Sequence, residues 1–216
     1  MLLAPLRTTL GLLALTPPLV LATSCASTKA SASGDAEVTS TEWVEAAPDL
    51  QLQIDTRAMQ VAVMASPDEF VELSDWFQGV GEPAYPALLE MIESGEKRER
   101  SFALSVVSAT ADRRLLEPVK EAMPVSALKD EQHSYEYARA LARMGDYSEL
   151  PTLIAGLQDK DRYTRALANE TLKEVTNNQI GYSPDASADE RQKAVEAWLA
   201  WWEAQQQDVL LQSEED

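Results

Sequence analysis

The sequence predicts an all-α fold: a short α-solenoid of about three helix pairs, closed by an N-terminal capping helix and a tryptophan-rich C-terminal helix. Three observations carry this. From about residue 50 onward apolar residues recur at helical spacing, with no Asn-Gly or Asp-Gly hairpin signal between them. Pro86, Leu88, Leu89, Ile92, Arg100 and Ala103 return 65 residues later as Pro151, Leu153, Ile154, Leu157, Arg165 and Ala168. A middle copy fills the gap. Leu116, Val119 and Met123 precede Leu150, Leu153 and Leu157 by 34 residues, whereas Tyr137, Ala140, Leu141 and Met144 precede Ala168, Thr171, Leu172 and Val175 by 31. The difference places an insertion near "PVSALKD", within the middle copy's internal loop. A single amphipathic pair cannot bury its own apolar stripe, so neighbouring pairs must stack.

Residues 1–24 read as an export signal. Arg7 is their one basic residue, and the apolar stretch Leu10–Ala22, broken by Pro17-Pro18, is too short to span a bilayer. The segment ends in Leu21-Ala22-Thr23-Ser24-Cys25, which resembles the lipobox of bacterial lipoproteins. That resemblance implies lipidation of Cys25 as the new N-terminus, and anchoring by more than one acyl chain. Cys25 is the sole cysteine, so no disulfide forms within the chain, and the alternative is an ordinary signal peptide with a chance cysteine. Ala26 follows it where an inner-membrane retention signal would carry an aspartate. The expected location is the outer membrane of a bacterial envelope, facing the periplasm.

Residues 25–49 are rich in Ala, Ser and Thr and read as a flexible tether, with a random-coil reach of about 25 Å. Trp43 within it either docks on the fold or touches lipid. Residues 50–83 supply the N-terminal cap. "SPDEFVELSDWFQGV" opens with Ser66 as N-cap and Pro67 at the first helical position, and Phe70, Val71, Trp76 and Phe77 form its bulky face. The preceding "DLQLQIDTRAMQVAVM" adds one more helix.

The repeats occupy 84–177. "LPTLIAGLQDKDRYTRALANETL" combines a Leu-Pro-x-Leu first helix, an Asp-rich turn and an Arg-x-x-Ala second helix, and so resembles a HEAT-like repeat of the PBS-lyase type. The middle copy departs from it, with Ser134 at the arginine position and Lys120 at an apolar one. Asp161 aligns with Glu96 and Asp130, each at the start of a second helix, where an acceptor caps free amides. Arg100 and Arg165 are expected to brace the turns, and Asp159 shares this structural role. Residues 178–207 form the closing helix. Ser187 and Glu190 make a capping box, and Val195, Trp198, Leu199 and Trp202 fall on one face. Trp201 points off that stripe and is expected to be exposed. Residues 208–216 read as a fraying acidic tail.

The net charge of −18 argues against nucleic-acid partners, which need a basic footprint. The one histidine, His133, sits in a polar context and is read as a surface residue. One cysteine and one histidine exclude thiolate–imidazole metal clusters, and Asp159/Asp161 lack the further ligands of a calcium loop, which leaves no metal expected. No phosphate-cradling glycine loop is present. The expected function is a non-catalytic, lipid-anchored scaffold or assembly factor for an unknown envelope protein, with no cofactor beyond the lipid on Cys25. The alternative is a periplasm-facing small-ligand or glycan-binding protein, or a lyase-like enzyme, acting near Trp201 and His133.

Overall fold

A computed structural model describes residues 42–124 and 131–213, with side chains from 42 to 124 and from 133 to 207. The chain divides into Met1–Glu37 and Val38–Asp216. The stretch read as an export signal, Cys25, the stretch read as a tether as far as residue 41, the insertion at 125–130 with Asp130, and the final three residues lie outside the described part.

The described residues are helical, without a strand. The helices are α1 (Pro48–Val63), α2 (Pro67–Val80), α3 (Tyr85–Glu93), α4 (Lys97–Thr110), α5 (Leu116–Ala122), α6 (Glu131–Arg143), α7 (Leu150–Gly156), α8 (Arg162–Thr176) and α9 (Ala188–Ser213). Single 3₁₀ turns, Glu82–Ala84 and Arg113–Leu115, lead into α3 and α5. The starts follow local chemistry. The Ser66 hydroxyl accepts the Glu69 amide at 3.2 Å, and Glu69 returns a carboxylate oxygen to the Ala65 amide at 2.6 Å. Ahead of α9 the Ser187 hydroxyl accepts the Glu190 amide at 3.3 Å, and the Glu190 carboxylate accepts the amide of Ser187 itself at 3.0 Å. Each such cap satisfies amides that have no partner within the helix.

Helices α2, α4, α6 and α8 pack side by side in that order, while α3 lies on α4 and α5, and α7 lies on α6, α8 and α9. Helix α6 serves two cores. Tyr137, Ala140, Leu141 and Met144 close one with α1–α5; Ala138 and Ala142 close the other with α7, α8 and α9. Close approach on the second side depends on small residues. A Cβ on Gly156 would stand 3.2 Å from the Ala168 Cβ and 3.3 Å from the Tyr135 ring.

Several residues that match in sequence at a displacement of 65 occupy similar local positions. Pro86 and Pro151 each occupy the first turn of their helix. Leu88, Ile92 and Ala103 are buried in one core as Leu153, Leu157 and Ala168 are in the other. In the middle copy, Lys120 leaves its aligned apolar place and pairs with Asp146 at 2.6 Å and Glu117 at 3.1 Å.

Three sequence expectations change at the ends. Helix α1 starts at Pro48, within the stretch read as tether, and Trp43 sits edge-on to Tyr85 at 5.1 Å with the Arg114 guanidinium 5.6 Å from its ring. Val71 is 55 % exposed rather than part of the capping face, which Phe77 and Phe102 supply with Phe70 and Trp76 edge-on around them. Helix α9 continues through Ser213, six residues beyond the boundary drawn at 207.

Polar groups pin the N-terminal strap. The Val44 amide donates to Glu82 at 3.0 Å, Arg114 bridges Glu82 at 2.9 Å and Asp112 at 2.8 Å, and the Tyr85 hydroxyl donates to Asp112 at 3.0 Å. Burial, with the bond to Asp112, pushes the Tyr85 phenol up to about 12. The Arg114 guanidinium holds the Asp112 carboxyl below its ordinary range. A carboxyl with a depressed folded pKa adds stability that is complete above its unfolded value near about 3.9 and disappears as pH falls through the folded value. Urea titrations of Asp112→Asn against the parent chain are therefore expected to show a stability gap above about pH 5 that closes on further acidification.

Candidate functional site

The turn between α7 and α8 holds most of the polar residues singled out in the sequence. Asp161 is the N-cap of α8, its carboxylate accepting the Thr164 amide at 2.9 Å and the Thr164 hydroxyl at 3.1 Å. Those bonds hold its carboxyl below the ordinary range. Asp159 accepts the Asp161 amide at 2.6 Å, closing an Asx turn. Arg165 donates to the carbonyls of Asp159 at 2.8 Å, Lys160 at 2.9 Å and Pro184 at 2.9 Å. It thereby fastens the repeat turn to the loop entering α9. Arg162 grips Asp185 of the same loop at 2.6 and 2.8 Å, and the Tyr182 hydroxyl donates to the Leu157 carbonyl at 2.5 Å. Arg100, the counterpart of Arg165, donates to the Ile92 carbonyl at 2.9 Å. These acids and arginines are consumed by backbone. Among the described residues no group of three His, Cys, Asp or Glu side chains is placed to hold a metal ion.

One expectation about exposed residues is overturned and a second holds only in part. His133 is 5 % exposed on α6, with Nε2 3.2 Å from the Lys97 carbonyl oxygen, because α4 packs over it. Trp201 is partly buried, edge-on to Trp198 at 5.6 Å, while Leu199 of the expected apolar stripe is 39 % exposed. The helix is turned so that Trp198, fully buried, forms the anchor, although its indole N–H finds no acceptor among the described residues.

Among the surface concavities of the described residues, two regions are lined by aromatic rings. One spans the exposed sides of α2, α4, α6 and α8. It comprises a furrow of about 1200 Å³ that includes Phe70, Val71 and Ser105, and a cleft of about 540 Å³ that includes Tyr135, Leu153 and Ala168. Lys97, Glu136, Arg139, Tyr163 and Leu167 line both. Tyr163 is 69 % exposed. The Arg139 guanidinium is half-buried, its Nε has no acceptor, and no carboxylate lies within ion-pair distance among the described residues. Burial, reinforced by the neighbouring Arg143, pushes it below the ordinary arginine value. The second concavity, of about 670 Å³, lies between α7, α8 and α9 and is walled by Tyr147, Trp201, Trp202, Gln205 and Gln206.

Sequence reasoning missed Arg139. Tyr135 and Arg139 stand four apart on α6, which in a sequence is indistinguishable from a solvated helix face. Comparisons with family models, curated proteins and solved structures found no match.

Replacing Arg165 by alanine removes three bonds to otherwise orphaned carbonyls. The expected loss is about 1–3 kcal/mol, read by urea denaturation, and an unchanged midpoint would contradict the bracing role.

Proposed function

We propose that the chain is a lipid-anchored envelope protein whose HEAT-like helix pairs form a short α-solenoid serving as a non-catalytic scaffold or assembly factor for another protein. The observation that carries this reading is the furrow crossing the row α2, α4, α6 and α8, open to solvent and lined by Phe70, Leu167 and Arg139 among others. Repeat arrays recognise partners along such extended surfaces. Supporting it, Pro86 and Pro151 both stand in the first turn of their helices, and Arg100 and Arg165, though on different acceptors, both donate to backbone carbonyls. Among the described residues no helix is long and apolar enough to cross a membrane. Attachment is assigned to the lipid on Cys25.

The test is photo-crosslinking in the native host, with the reactive side chain placed at Val71 or Ser105 in the furrow and at Glu121 on α5 as control. A discrete adduct with one envelope protein from the furrow positions alone is expected. It should weaken in Cys25→Ser, which is expected to leave the membrane fraction. Adducts equally abundant from Glu121, or none from the furrow, contradict the scaffold.

The aromatic cleft favours a second reading, a small-ligand or glycan site. Its walls offer three aromatic rings and two amides, and no formal charge. A sugar at 100 times its Kd would stabilise the fold by about 2.7 kcal/mol. Thermal-shift measurements with neutral saccharides should show this gain in the parent and not in Trp201→Ala; no shift with any saccharide removes the reading.

A further inference from the structure

We propose that Arg139 is the recognition residue of the furrow and that it receives a single carboxylate from a polypeptide of neutral or positive net charge. This rests on the scaffold reading and specifies its ligand. A half-buried guanidinium with no hydrogen-bonded acid loses solvation without compensation, which folds avoid unless the charge is used. Nearby arginines show the contrast. Arg143 pairs with Glu174, Arg98 donates to the Ala62 carbonyl at 3.1 Å, and Arg165 reaches three carbonyls. The Nε atoms of Arg139 and Arg143 are both buried without an acceptor, but among the described residues only Arg143 has a carboxylate on its terminal nitrogen, and Arg139 stands where furrow and cleft meet. Glu136, which lines the same two concavities, and Glu174 act on it through space.

Its surroundings select the ligand. A planar guanidinium presents a fork matched to a carboxylate, and the rings of Tyr135 and Tyr163 beside it offer faces to a peptide backbone or an apolar side chain. The chain's net charge of −18 repels a polyanion, so a lone carboxylate on a neutral or basic chain is favoured over an acidic run. Glu96 and Glu99 on the furrow's rim suit cationic groups flanking that carboxylate. Four helices packed side by side span roughly 25–30 Å, the length of about eight extended residues. The surface therefore fits an extended segment, with its carboxylate seated near the α6–α8 end.

The site is tested on the isotope-labelled full-length chain by following the Arg139 Nε–Hε resonance during titration with acetate. Acetamide, and sodium chloride at matched ionic strength, serve as controls. A saturable shift with acetate alone is expected, abolished in Arg139→Gln and weakened about tenfold in Arg139→Lys, which keeps charge but loses the fork. Peptide pairs differing only as Asp against Asn should show at least the same preference. Arg139→Met should melt at or above the parent temperature, since it removes an uncompensated charge. A shift produced equally by chloride, equal binding of both peptides in each pair, or a clear fall in the Arg139→Met melting temperature would each overturn the proposal. Acetate binding with no crosslinked partner would instead fault the scaffold and leave the carboxylate site standing.

Discussion

The structure depends on α6 being apolar on two sides. Tyr137, Leu141 and Met144 seal the core built by α1–α5, and Ala138 and Ala142 seal the one built by α7–α9. A helix buried on two faces cannot be satisfied by a single partner layer. It forces material to accumulate on both sides, and so extends the row from α2 to α8. The chemistry differs between its faces. Large side chains fill the wide space toward α3 and α5, whereas alanine and the nearby Gly156 permit the close approach of α7 and α8.

Polar chemistry in this acidic chain is spent mainly on backbone. A short helix leaves four amides and four carbonyls without internal partners, and nine helices multiply that demand among the described residues. Asp161, Ser66 and Ser187 answer for amides, and Arg100 and Arg165 answer for carbonyls. The strap at Trp43 follows the same economy, with Glu82, Arg114, Asp112 and Tyr85 closing a chain of bonds around one indole. Against that background a cation without an acceptor is conspicuous, which is why Arg139 stands apart from other charges on the same surface.

The sequence already contained the helix starts, because a cap is a local event. Ser66 with Glu69 and Ser187 with Glu190 need only three residues of chain to find each other. The recurring spacing also marked Leu88 with Leu153, Ile92 with Leu157 and Ala103 with Ala168 as buried, whereas Leu89 is only partly covered where its match Ile154 is buried. Val71, Leu199, Trp201 and His133 were misjudged for a common reason. Each lies near the boundary between an apolar stripe and the polar face, and a modest rotation of the helix moves it across.

The chain's own order of residues thus determined that it would be helical, where its helices would begin, and which positions recur, since all three follow from contacts within a few residues or from simple periodicity. The tertiary packing decided that α4 would cover His133, that Trp198 would anchor α9, and that the Arg139 Nε would be buried without a hydrogen-bond acceptor among the described residues. Those outcomes depend on helices far apart in sequence meeting at a particular rotation, and no local pattern encodes that angle.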